Sequence, residues 1–177
     1  MPAVSKPSYV TTVSAAEWAS LPLPERFLHV ARSQVGVREV TANWSPIIKL
    51  YLKVAGVFSP APWCAAFLTW CLLEAGADRK KLPKFPASTY YWWSWAKANG
   101  RLLNAPSRGR LIVVNGAKGG HIGAVRSVDG AFVETIEGNT DDKGSREGIK
   151  VADRTRMWRR YLDQYPRHGF ISLEGLD

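Results

Sequence analysis

Two residue types in this chain could carry out acyl chemistry, and both are scarce: two cysteines and three histidines among 177 residues. Cys64 follows Pro60 and Pro62 and opens the run CAAFLTWCLLEAG. Proline cannot sit inside a continuous preceding helix, so the spacing predicts a helix that begins around residues 62 to 64. A helix N-terminus presents unpaired N–H groups and a partial positive charge. Both favour a thiolate over a thiol, and the same N–H groups can hold a developing oxyanion. Cys64 therefore stands where a nucleophile would. An isolated cysteine is more often a buried structural residue, and Cys71, in mid-helix, keeps that reading. Seven positions apart in one helical pattern, the two Cα atoms are separated by roughly 10 Å. A disulfide allows no more than about 7 Å, so both thiols are expected to be free.

A thiol nucleophile needs a base. His29, on a predicted helix, and His168, near the C-terminal strand, read as structural or exposed. His121 follows Gly119-Gly120 and opens a predicted strand, a good place for a side chain facing a cleft. The hairpin after it supplies a geometric expectation. A three-residue loop, Val128-Asp129-Gly130 with a glycine bulge, pairs Ile122 with Ile136, Val125 with Val133 and His121 with Glu137. Arg126 and Glu134 then become diagonal neighbours on the outer face. A two-residue loop sets Ile122 against Glu137 and Val125 against Glu134, a poorer match. The first register puts a carboxylate beside the imidazole, able to orient it and stabilise its charged form. Taken alone, Glu137 reads as an exposed strand-end acid. Ser127 and Thr135 lie nearer the turn, and no catalytic part is expected for them.

The elements that must position these residues fall into two groups. Helices are predicted from Pro24 to about Gly36, with Phe27, Val30, Ala31 and Val35 as the apolar stripe, and from Ser45-Pro46 to Gly56. A nearly all-apolar helix runs from about Trp63 to Ala75, the signature of a buried central helix. An aromatic helix covers about Thr89 to Ala98. Strands follow at Leu111–Val114, His121–Val128, Ala131–Glu137, Ile149–Asp153 and Gly169–Leu173, with residues 138–148 as a polar loop. Helices first and a meandering antiparallel sheet second make an α+β domain. Residues 1–22 are weakly patterned and read as an N-terminal arm before a domain of residues 23–177.

Composition narrows the function classes. The chain is 46% hydrophobic and 22% charged, as in ordinary globular proteins. Its formal charge of +9 suits polyanionic partners such as nucleic acid, anionic lipid or an acidic cell wall. Zinc-finger spacing, an RNA-binding sheet motif and a continuous basic helix are all missing, so no nucleic-acid partner is expected. No apolar run reaches the ~20 residues that span a bilayer, and the N-terminus shows no signal-peptide pattern. Stable membrane insertion is not expected, and synthesis in the cytoplasm is. The Cys and His residues lack the short spacings of a zinc amidase, so no metal and no cofactor are expected.

PWCAAFLTWCLLEAG, GGHIGAVRSVDG and ETIEGNT, in this order, resemble the CHAP amidase and endopeptidase domains of the NlpC/P60 superfamily. VGVREVTANWSPIIKLYLKVAG is similar to the lead-in of such domains, and the resemblance spans about residues 25 to 173. It implies a papain-like fold and cleavage of a peptidoglycan amide bond, as an N-acetylmuramoyl-L-alanine amidase or a peptide endopeptidase. Carried over, the active site is Cys64, His121 and Glu137, with Asn139 as a further polar group. Trp63 stands where many relatives carry Gln, next to the nucleophile, and is expected to bind substrate. Gly109-Arg110 replaces the Gly-Asp that enters the first strand in many relatives. The implied partner is bacterial peptidoglycan. The implied setting is a phage lysin released to the wall, or an antibacterial effector with its delivery machinery and an immunity protein. The competing class is a catalytically inactive wall-binding module. Eight tryptophans favour it, with Trp92, Trp93 and Trp95 sharing one segment with Tyr90 and Tyr91, although such residues are more often core or cleft wall.

Overall fold

A computed structural model describes residues 5–141, 143 and 148–177. Chain order begins with helices. α1 spans Ala15–Ser20, closed at its start by a reciprocal capping box between Ser14 and Glu17. It is too short to show a periodic stripe, which is why the sequence read this stretch as an arm, yet Val10 and Trp18 are fully buried. α2 spans Leu23–Ser33 with proline in its first turn. Phe27, Val30 and Ala31 form its buried stripe, whereas Val35 lies beyond the last turn and is exposed. α3 spans Pro46–Val54, and Ser45 caps it by accepting from the Ile48 N–H. α4 spans Cys64–Glu74 with every residue from Cys64 to Leu72 buried, as its all-round apolar sequence requires. α5 spans Thr89–Ala98.

The chain then lays down most of one antiparallel sheet. Its strands are β1 (Leu102–Leu103), β2 (Leu111–Gly116), β3 (Gly119–Asp129), β4 (Phe132–Thr140), β5 (Lys150–Met157) and β6 (Arg167–Ile171), in the order β1-β6-β2-β3-β4-β5. A short helix, α6 (Trp158–Leu162), lies between β5 and β6. Alternation along the strands divides the core. Leu111, Val113, Ile122, Ala124 and Ile136 join the large cluster formed with the N-terminal helices. Ile112, Val114, Val125 and Val133 join a smaller one with Trp158, Leu162 and Phe170. The sheet is therefore covered on both faces. Among the described residues no helix is long and apolar enough to cross a membrane.

The β3–β4 hairpin departs from the expected register. Asp129 pairs with Phe132, leaving a two-residue turn, and a bulge lies between Val125 and Ser127. Ala124 faces Ile136 and Val128 faces Val133, in place of the Ile122–Ile136 and Val125–Val133 pairs. The extra residue that reconciles the apolar pattern sits at Arg126 in mid-strand, not in the loop. There the Arg126 side chain pairs with Glu134 and Asp153. β4 also runs on through Gly138, Asn139 and Thr140, which were expected to begin a loop. Residues 142 and 144–147 of that expected loop lie outside the described residues.

Candidate active site

Cys64 is the first residue of α4. Helices α1, α3 and α5 are closed by Ser14, Ser45 and Ser88 side chains. The residue before α4 is Trp63, whose side chain does not cap it. The first-turn N–H groups beside the thiol thus donate to no capping side chain. Cys64 is 6% exposed and lines an open cleft of about 350 Å³ with Pro62, Ala87, Thr89, Lys118 and Gly120 among its walls. Cys71 is fully buried, and burial pushes its thiol well above the ordinary range. Both cysteines are free.

His121 lies near the start of β3 and is almost wholly buried. Its Nε2 is 2.8 Å from Oε2 of Glu137, which is fully buried too. The two come together by a route other than the expected direct pairing. Continuing the Ala124–Ile136 register by one pair sets Gly123 opposite Glu137, and His121 reaches the carboxylate from the next position on the same face. Gly123 is what makes room: a Cβ there would sit 2.7 Å from Glu137 Cγ. Nδ1 of His121 makes no hydrogen bond of standard geometry among the described residues, and Cys64 is the group placed to engage it.

The electrostatics follow from burial and pairing. Burial alone would lower the His121 pKa. The Glu137 charge, aided by Cys64, outweighs it and raises the group from 6.5 to about 9. Burial alone would raise Glu137. His121 and Arg156 outweigh it and hold the carboxyl well below the usual carboxylate range. Among the described residues Glu137 accepts four hydrogen bonds. His121 and Arg156 Nη2 donate to Oε2, while Arg156 Nε and Thr135 Oγ1 each donate to Oε1 at 2.6 Å.

Two of these groups escaped the sequence reading. Thr135 was given no part, yet it supports Glu137. The signal was present, because residues two apart in a strand share a face. Ser127 instead bonds Glu134, away from the site. Arg156 sits in an arginine cluster from Arg154 to Arg160 that reads as a solvated run, and nothing in the sequence marks one member. Asn139 is buried at the same corner in a left-handed conformation, φ 55°, which asparagine tolerates. The imidazole nitrogen is held by Glu137. Trp63 requires a correction: it is fully buried, donates its indole N–H to Glu39 at 2.8 Å and packs on Tyr51 and Phe67. It is a core residue under the site and has no surface to offer a substrate. In the aromatic helix Trp92 is also core, while Tyr90 and Tyr91 are exposed.

Residues 56–139 match the family model of the CHAP domain. The CHAP domain is what this segment of the chain is similar to. CHAP domains belong to the papain-like group of amidases and endopeptidases and are generally hydrolases of peptidoglycan. Cys64, His121, Thr135, Glu137 and Asn139 all fall inside the matched CHAP segment, and Arg156 falls outside it. Among solved structures the chain is similar to Ly7917, known from a crystal structure, with 17% sequence identity and a TM-score of 0.51. The match covers 84% of this chain and 61% of that one, so the chain spans less than two thirds of Ly7917. At that identity the likeness shows the shared α+β fold alone. No curated protein matches.

Proposed function

We propose that the protein hydrolyses an amide bond of peptidoglycan with Cys64 as nucleophile, His121 as proton carrier and Glu137 as the group that orients it. The observation that carries this reading is the buried His121–Glu137 pair placed beside a thiol at an uncapped helix start. The Cys64 thiolate attacks the amide carbonyl carbon. The resulting oxyanion is held by N–H groups at the start of α4. The imidazolium of His121 gives its proton to the departing nitrogen as the C–N bond breaks, leaving a thioester on Cys64. His121 then takes a proton from water, whose oxygen attacks the thioester and returns the thiolate. The site of action is the cell wall, reached by lysis-coupled release or by secretion, and the basic surface suits that anionic target.

The reading is tested by digesting sacculi and resolving the products by mass spectrometry. Each cut should expose one new amine and one new carboxylate. Iodoacetamide should stop their appearance and EDTA should not. Inactivation by EDTA alone, or products cut only at glycosidic bonds, would reject the thiol mechanism. Intact sacculi that nonetheless retain the protein would favour an inactive binding module.

The glycine that admits Glu137 gives a second test. Gly123→Ala brings a methyl group against the carboxylate stem. A displacement of the order of 1 Å at a catalytic group lowers turnover about 100-fold, whereas the overpacking itself costs about 1–3 kcal/mol. Turnover should therefore fall sharply in a variant that still unfolds cooperatively. Wild-type turnover in Gly123→Ala would show that the carboxylate position is unimportant.

A further inference from the structure

Arg156 is the least expected member of the site. It lies on β5 opposite Val133, outside the CHAP segment, and its side chain is only 10% exposed. The guanidinium meets both carboxylate oxygens of Glu137, the paired fork geometry that arginine alone provides. On its other side the Tyr161 ring of α6 lies 4.2 Å from the guanidinium carbon, and Tyr165 packs on Tyr161. A positive charge fixed this firmly behind the carboxylate must act on the imidazole in front of it.

The sign of that action is set by charge counting. Without Arg156, removing the proton shared by His121 and Glu137 leaves a lone buried anion, which is costly. With Arg156, removing the same proton leaves a neutral carboxylate–guanidinium pair. Among the described residues the other charged and titratable groups around the cluster are Cys64 from α4, Arg154 from β5, Tyr161 from α6 and Tyr165 from the turn that follows it. None of these repeats the bidentate contact to Glu137.

We propose that Arg156 is a positioning residue of this site, locking the Glu137 carboxylate against His121 and offsetting its charge so that the pair can release a proton during turnover. Its catalytic meaning rests on the thiol hydrolase reading above, and its electrostatic meaning does not. The test uses the full chain with labelled histidine, the His121 ring resonances being assigned by His121→Gln. In Arg156→Met, His121 should keep its proton to about one pH unit higher than in wild type. On sacculi kcat should fall about 10- to 100-fold with KM little changed. Arg156→Lys, which restores the charge without the fork, should bring the titration back toward wild type while kcat stays low. Should Arg156→Met fail to fold, Arg156→Gln drops the charge while keeping an N–H donor and should show the same upward shift. An unchanged or downward titration in the neutral variants overturns the proposal. The titration needs no substrate, so an upward shift supports the role of Arg156 even where wild type leaves sacculi uncut. Failure of the hydrolase reading would show in the sacculus assay alone.

Discussion

Cys64→Ala should abolish wall hydrolysis, a loss of about 10⁵- to 10⁶-fold, and leave the fold in place. The size of the loss follows from the role: without sulfur no thioester forms, and only binding and the oxyanion donors remain. The fold should survive because the change removes one atom at the lip of a cleft, where water can refill the space. Cys71→Ala is the matched control, on the same helix and two turns on. Its thiol is fully buried and burial suppresses its ionisation, so it is no nucleophile. Losing a small buried apolar group there costs about 1 kcal/mol, and most activity should remain. Turnover by zymogram and melting by circular dichroism separate the two variants. Near-wild-type hydrolysis by Cys64→Ala would end the mechanism. Loss of hydrolysis in Cys71→Ala with an unchanged melt would move the nucleophile to Cys71.

What the sequence disclosed and what it hid divide along local and non-local lines. Helices α2 to α5 were legible because their caps and stripes are local: Ser45-Pro46 before an apolar run, or a helix apolar on every side from Cys64 to Leu72. The helix start at Cys64 was legible for the same reason, since the prolines that forbid an earlier start lie within a few residues of it. The hairpin was half legible. Its strands alternate clearly, yet the place of the extra residue depends on Arg126 finding Glu134 and Asp153 across two neighbouring strands. His121 and Glu137 meet whether the bulge is in the loop or the strand, so the pairing was reachable from a mistaken register. Arg156 depends on a contact across the sheet between residues 19 apart, and no periodicity reports such a contact. Trp63 failed for a different reason. Its position next to Cys64 says nothing of which way the side chain turns, and a large apolar ring beside Tyr51 and Phe67 turns inward.

Glu137→Gln should damage activity and stability together. It leaves Arg156 and the protonated His121 buried without the charge that balances them. Breaking a buried pair in this way costs about 3–5 kcal/mol. Loss of the orienting acid of a triad lowers turnover about 10⁴-fold. The pH dependence is specific. The Glu137 carboxyl is held below its ordinary value of 4.5, so its contribution to stability is complete above pH 4.5 and is lost as pH falls through the lower folded value. His121 is raised from 6.5 to about 9, so its contribution is complete below pH 6.5 and is lost as pH rises through about 9. The gap in unfolding free energy between wild type and Glu137→Gln should therefore be widest between pH 4.5 and 6.5. It should narrow toward pH 9, where the Glu137 contact with the charged imidazole is lost and those with Arg156 and Thr135 remain. Urea unfolding at pH 5.5 and at pH 9 measures it. Glu134→Gln removes a carboxylate that is paired with Arg126 at the surface, and it should change neither stability nor turnover appreciably. A gap for Glu137→Gln that is the same at both pH values would mean that His121 is not charged in the folded protein, and the imidazolium step would fall with it.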